Sequence, residues 1–132
     1  MASRIVNQGL ADSLTATFRV GGGGTVGGPF DPVDAMSVSN FGNLLAGTTD
    51  LSGAVNKQCN VLDSTPTLAS QTVTCVCTFT TGQANFAITT VALHNDGADV
   101  FTGVYGGVDN QALTKTSDFS LKITLTITYA TA

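Results

Sequence analysis

Residues 119–129 read FSLKITLTITY, and this stretch decides the fold class. Apolar and polar side chains alternate along its whole length, which is the pattern of a β-strand that buries one face. The predicted inward face carries Phe119, Leu121, Ile123, Leu125, Ile127 and Tyr129. The predicted outward face carries Ser120, Lys122, Thr124, Thr126 and Thr128. We therefore predict a long, regular, half-buried closing strand.

A second alternating stretch lies at residues 71–81, QTVTCVCTFTT. Val73, Cys75, Cys77 and Phe79 fall on one face, and threonines dominate the other. A Thr-Gly-Gln turn follows, and residues 85–93 are then largely apolar on both faces, which predicts a central strand joined to the first by a hairpin.

Shorter strands are predicted elsewhere in the chain. Residues 14–20 alternate, residues 34–41 are a less regular candidate, and residues 100–105 form a short strand ended by Gly106 and Gly107. No amphipathic helix of about ten residues or more is expected after residue 20. The pattern predicts an all-β protein, built as a single antiparallel β-sandwich (jelly-roll-like) or a small barrel with long loops.

The chain is expected to form one domain, 1–132, with two flexible segments. Residues 1–13 form an N-terminal arm, either extended or with one turn of helix. Residues 21–28, GGGGTVGG, form a glycine-rich loop that lacks the lysine of a phosphate-binding loop. Such segments can order against a neighbouring subunit. The candidate assembly contacts are Arg4, Ile5, Val6, Gly21, Gly22, Gly23, Gly24, Pro29 and Phe30.

Composition narrows the classes of function. Charged residues make up 11% of the chain, against about 25% in an ordinary soluble domain. The net charge is −4 and no basic run exists, which argues against nucleic-acid binding. No apolar run reaches the length of a membrane-spanning helix, and residues 1–10 lack the apolar region of a secretory signal. A weakly charged surface favours association between copies.

Three cysteines, an odd number, argue against a disulfide framework. Cys75 and Cys77 point to the same face of one predicted strand, where small apolar core residues are the favoured interpretation. The protein is expected to fold in a reducing cytosol.

No constellation of residues predicts a catalytic centre. His94 is the sole histidine and lies in the sequence HNDG, where a solvated turn residue is expected. Glutamate is absent, and no carboxylate pair brackets a predicted cleft. Asp96 and Asp99, in a glycine-containing turn, are candidates for weak calcium binding, but they lack the ligand series and the closing bidentate glutamate of a calcium loop. We expect no enzyme activity, no catalytic residue, no metal and no cofactor.

The second half of the chain resembles a group of small virion proteins of tailed bacteriophages. The resemblance covers about residues 70–130: TVTCVCTFTTGQANFAITTVALHND, a short Val-Phe-Thr-Gly strand, and LTKTSDFSLKITLTITYA. In that group a threonine-rich strand leads into a strand of the kind "AITEVGLFN" and ends in a closing strand of the kind "sLtVtWtitf". Here Ala92 and His94 replace the usual glycine and phenylalanine. A weaker similarity to the same group's Gly-Thr-rich loop lies in the stretch NLLAGTTDLSGAV.

The resemblance implies a structural part of a virion, made in the host cytoplasm. The leading expectation is a capsid decoration (cement) protein on the capsid exterior. Its expected partner is the major capsid protein, and its copies are expected to associate as a homotrimer. A tail-fibre, collar or receptor-binding component is the alternative, and a secreted carbohydrate-binding module a more distant one. The resemblance supplies no catalytic residues, and neither nucleic acid nor a membrane is an expected partner.

Overall fold

The computed structural model describes residues 33–48, 50–94 and 104–128. Every regular element in these ranges is a β-strand, so the all-β prediction is confirmed. In chain order the strands are β1 Ala35–Ser39, β2 Lys57–Val61, β3 Thr67–Ala69, β4 Thr72–Phe79, β5 Ala87–Ile88, β6 Thr90–His94, β7 Val104–Val108, β8 Leu113–Thr114 and β9 Leu121–Thr128.

The strands form two larger antiparallel sheets and one small one. The order is β2-β1-β6-β7 in one sheet, β3-β4-β9 in the second, and β5-β8 in the third. Apolar residues of β1 and β6 share one core cluster with apolar residues of β4. The arrangement is therefore that of a β-sandwich, and the described strands do not close into a barrel.

Strand β4 supplies the centre of this core. Its residues alternate strictly between buried and half-buried, and Val73, Cys75, Cys77 and Phe79 are all 0% exposed. The sequence predicted this face correctly, because an alternating strand must turn its apolar row toward the opposing sheet.

The predicted hairpin between β4 and the following strand is wrong. Strand β4 pairs with β3 and β9, whereas β6 pairs with β1 and β7 in the other sheet. The Gln83 side chain explains the difference: its Oε1 accepts hydrogen bonds from Thr80 N at 3.0 Å and from Asn60 Nδ2 of β2 at 2.8 Å. This turn is thus fixed to a strand of the opposite sheet, and the chain crosses the sandwich.

The region after this turn also differs from the prediction. The single strand expected at residues 85–93 is split into β5 and β6, which belong to different sheets. Strand β6 lies between β1 and β7, so its central position is confirmed. Gly106 and Gly107 lie inside β7 instead of ending it, because Gly107 pairs with Ala92 of β6.

The closing strand is confirmed as β9, with two changes. Leu121, Ile123, Leu125 and Ile127 face the core but are only half-buried. Phe119 lies before the strand and is 39% exposed, so its predicted inward position is wrong. Tyr129 and the predicted strand at residues 14–20 lie outside the described residues.

The buried cysteines give a first testable prediction. Burial raises the pKa of Cys75 to about 11, and burial, with a smaller contribution from the Asp63 carboxylate, raises that of Cys77 to about 12. Only the thiolate reacts with alkylating reagents, so at pH 8 both thiols should label at least about 100-fold more slowly in native protein than in unfolded protein. Mass spectrometry after timed iodoacetamide treatment measures the two rates. A Ser64→Cys variant provides an exposed control thiol, and equally rapid labelling of Cys75 and Cys77 would contradict their burial.

Candidate assembly surface

The outer face of β4 and β9 is a broad neutral surface. The two strands pair over eight consecutive residues, which places Thr72 opposite Thr128 and Thr74 opposite Thr126. The hydroxyl oxygens of Thr72 and Thr128 lie 3.0 Å apart and share a hydrogen bond. Lys122 is the one charged residue of the two strands on this face, and one carboxylate reaches the face from outside them: Asp63 Oδ2 accepts a hydrogen bond from the Thr78 hydroxyl at 2.6 Å. The face therefore offers hydroxyl groups and methyl groups to a partner, with little charge to repel it.

The inner row of β9 lines an apolar groove at one side of the sandwich. The groove has a volume of about 270 Å³ and lies between β9 and strands β6 and β7 of the other sheet. Ile123 and Leu125 of β9 form one wall, and Val91 and Val108 form the other. Val108 and Leu113 beside the groove are 38% and 40% exposed. The two sheets are thus less completely closed here than at β4.

A buried lysine holds the chain just before β9. Lys115 is 1% exposed, and its Nζ donates hydrogen bonds to Asn85 Oδ1 at 2.8 Å and to Thr116 O at 3.3 Å. The ammonium also lies 5.7 Å from the centre of the Phe119 ring, within cation–π distance. Its backbone N–H donates to Phe86 O at 3.1 Å. These contacts fix the segment that leads into β9 to the turn after β4.

Sequence reasoning did not single out Lys115. Its neighbours in the chain, Thr114 and Thr116, are polar and Lys115 itself is charged, so the local sequence predicts a surface residue. The polar atom that makes burial tolerable belongs to Asn85, 30 residues earlier in the chain. No local signal could have revealed this partner.

His94 is also buried, which corrects the prediction of a solvated turn histidine. Strand β6 continues through His94, which pairs with Ala35 of β1 and with Val104 of β7 and is 0% exposed. Its Nε2 lies 2.5 Å from the Ser37 hydroxyl, which is also fully buried. This hydrogen bond ties β1 to β6, and an external substrate cannot reach the serine oxygen without opening the sheet.

The candidate assembly contacts from sequence all lie outside the described residues. They are Arg4, Ile5, Val6, Gly21, Gly22, Gly23, Gly24, Pro29 and Phe30. Asp96 and Asp99, weighed as weak calcium ligands, lie outside as well. Within residues 33–48, 50–94 and 104–128, no group of three or more metal-ligating side chains comes together. The same ranges contain no helix long and apolar enough to cross a membrane.

Comparison with known proteins adds no relative. No protein-family model, no curated protein and no solved structure matches this chain.

Proposed function

We propose that this protein is a non-enzymatic structural component of a tailed-bacteriophage virion, and specifically a capsid decoration protein. It binds the outer surface of the assembled major capsid protein shell and stabilises it. Its own copies associate as a homo-oligomer. The rival is a tail-fibre, collar or receptor-binding component.

The observation that carries this proposal is the paired, neutral surface of β4 and β9. Both strands fall within residues 70–130, the part of the chain that resembles small virion proteins. They pair without a register shift and expose a row of threonines with one lysine. A protein that must cover another protein in many copies benefits from such a face, because like copies can lie side by side without charge repulsion.

Stabilisation of a shell follows from binding alone. A protein that binds the expanded shell more tightly than the unassembled subunits shifts the equilibrium toward the shell by mass action. Contacts with more than one subunit at a time increase the effective affinity through multivalency. No catalytic group is needed for this task.

Copy number is the direct test. Quantitative mass spectrometry of a purified particle should give one copy of this chain for every one or few copies of the major capsid protein. A dozen or fewer copies per particle would instead support the tail component, and absence from the particle would refute both. Particles stripped of the protein should lose their shell at a lower temperature, and adding the protein back should restore it.

The flexible segments predicted from sequence provide a second, independent prediction. Deletion of residues 21–24 removes only glycines, and deletion of residues 1–8 removes part of the predicted arm, with Met1, Ile5 and Val6 as its large apolar side chains. Because neither segment is predicted to belong to the core, the melting temperature of the isolated protein should stay nearly unchanged. Binding to stripped particles should weaken at least tenfold if these segments order against the shell. Cosedimentation with stripped particles measures this. Deletions that leave particle binding intact would rule out a role for these segments in attachment, without bearing on the β-sandwich.

A further inference from the structure

Strand β9 is an unusual sheet edge. Within residues 33–48, 50–94 and 104–128 it pairs only with β4, so among these residues its other side is an edge of the sheet. It is eight residues long, whereas the other edge strands of the two larger sheets, β2, β3 and β7, have five, three and five residues. Every second residue of this edge directs its backbone N–H and C=O groups away from β4.

Natural proteins usually protect such an edge, and within the residues that the structure describes β9 carries one such protection, the charged side chain of Lys122. A charged side chain (lysine above all), a proline, a β-bulge, a very short strand, an inward-pointing charge or a covering helix or loop keeps edge strands from pairing with other chains. Strand β9 contains no proline and no glycine, and its ladder with β4 has no register shift. Its inner row is entirely leucine and isoleucine, and all four of these side chains remain half-exposed. At eight residues, this is the longest edge strand of the sheets among the described residues.

We propose that β9 pairs antiparallel with β9 of a second copy of this chain, around a two-fold axis perpendicular to the sheet. The β3-β4-β9 sheets of the two copies then form one continuous sheet. This self-pairing is a property of the isolated protein and does not depend on the proposed role in a virion.

The residues of β9 suit a second copy because they are complementary to themselves. Residues directly opposite in an antiparallel pair share a face, so the axis must lie beside one residue of the strand. With the axis at Thr124, Lys122 faces Thr126 of the second copy; with the axis at Leu125, Lys122 faces Thr128. Neither register places the two lysines opposite each other. The single charge of the strand therefore does not oppose self-pairing.

Both faces of the strand also match. On the outer face, threonine would meet threonine, as Thr72 and Thr128 already do at 3.0 Å between β4 and β9. On the inner face, leucine and isoleucine of one copy would meet leucine and isoleucine of the other, and each would cover apolar surface that is half-exposed in a single copy. The exposed Val108 and Leu113 beside the groove extend this apolar surface. Cross-strand pairs of both kinds stabilise sheets.

Lysine substitutions on two edges of the same sheet test the proposal. Thr126→Lys faces Lys122 of the second copy in the first register, and Thr128→Lys does so in the second. Thr67→Lys is the matched control: Thr67 is an exposed threonine on the same face but on the opposite edge strand, β3. Sedimentation velocity over a range of concentrations should show a wild-type dimer. At least one β9 variant should dimerise at least tenfold more weakly, and Thr67→Lys should dimerise like wild type.

Cysteine cross-linking tests the register without disturbing charge. The three native cysteines are free and buried, so an introduced surface cysteine is the accessible thiol. Under mild oxidation, Thr124→Cys should form a covalent dimer in the first register. In the second register, a mixture of Thr124→Cys and Thr126→Cys should form a mixed dimer. Thr67→Cys serves as the control and should not cross-link.

Several results would overturn the proposal. A wild-type protein that is monomeric or trimeric in solution would exclude two-fold pairing through β9. A dimer that Thr67→Lys weakens and both β9 variants leave intact would place the interface on the opposite edge. Circular dichroism and thermal unfolding of each variant establish that it is folded. None of these results bears on whether the protein is part of a capsid.

Discussion

Replacing Phe79 with alanine should lower the free energy of unfolding by about 3–5 kcal/mol. Phe79 ends β4, is 0% exposed and lies in the cluster that joins the two sheets. Removing its ring takes away the transfer free energy of a large apolar side chain and leaves a cavity between sheets that cannot fully close. Urea denaturation followed by circular dichroism measures the change as a lower midpoint with an unchanged slope.

Phe119→Ala is the control for this prediction. Phe119 is 39% exposed and lies outside the core cluster, although its ring stands near the Lys115 ammonium. Removing its ring should lower the free energy of unfolding by only about 1 kcal/mol, because the cation–π contact with Lys115 is lost and less apolar surface is buried. Equal costs for the two variants would show that the core is not centred on β4.

Replacing Gly107 with alanine should lower the free energy of unfolding by about 3 kcal/mol or more and distort the edge of the four-stranded sheet. A Cβ atom on Gly107 would collide with the Val91 carbonyl oxygen and would lie 2.7 Å from Ala92 Cα. Both atoms belong to the backbone of β6, so no side-chain rotation can relieve the contact. Strand β7 would have to move away from β6, close to the irregularity already present at Leu93 and His94.

Gly106→Ala is the matched control, one residue earlier in the same strand. A Cβ atom there meets nothing within 4 Å. Alanine at this position should change stability by less than about 1 kcal/mol, and it can even stabilise by reducing the freedom of the unfolded chain. Thermal unfolding of the two variants side by side gives the comparison. Equal stability of the two would mean that β7 does not approach β6 as closely as described.

The half-burial of β9 changes an expectation drawn from sequence. The regular alternation of residues 119–129 predicts that Ile123 and Leu125 are core residues whose truncation to alanine lowers the free energy of unfolding by about 2–5 kcal/mol. Both side chains pack against the core cluster but remain partly exposed beside the groove. Each of these side chains buries less apolar surface than a fully buried one. Replacing either with alanine should therefore lower the free energy of unfolding by about 2 kcal/mol, the low end of the range for core truncations.

The sequence by itself determined the two longest strands and the face of each that points inward, whereas the short strands β2, β3 and β8 were not predicted. The reason is that a strand's side chains alternate with a period of two, so a local run of residues is enough to assign Val73, Cys75, Cys77 and Phe79 to one face. The low charge and the threonine-rich outer faces could be read from the sequence in the same way.

Only the tertiary structure decided which strands pair and which polar residues are buried. The turn after β4 leads to the opposite sheet because Gln83 bonds to Asn60, 23 residues away in sequence. Lys115 and His94 are buried because Asn85 and Ser37 meet them from 30 and 57 residues away. Such partners come together only when the sheets form. Their hydrogen bonds offset the free-energy cost of burying a polar group, and the local sequence around that group does not indicate them.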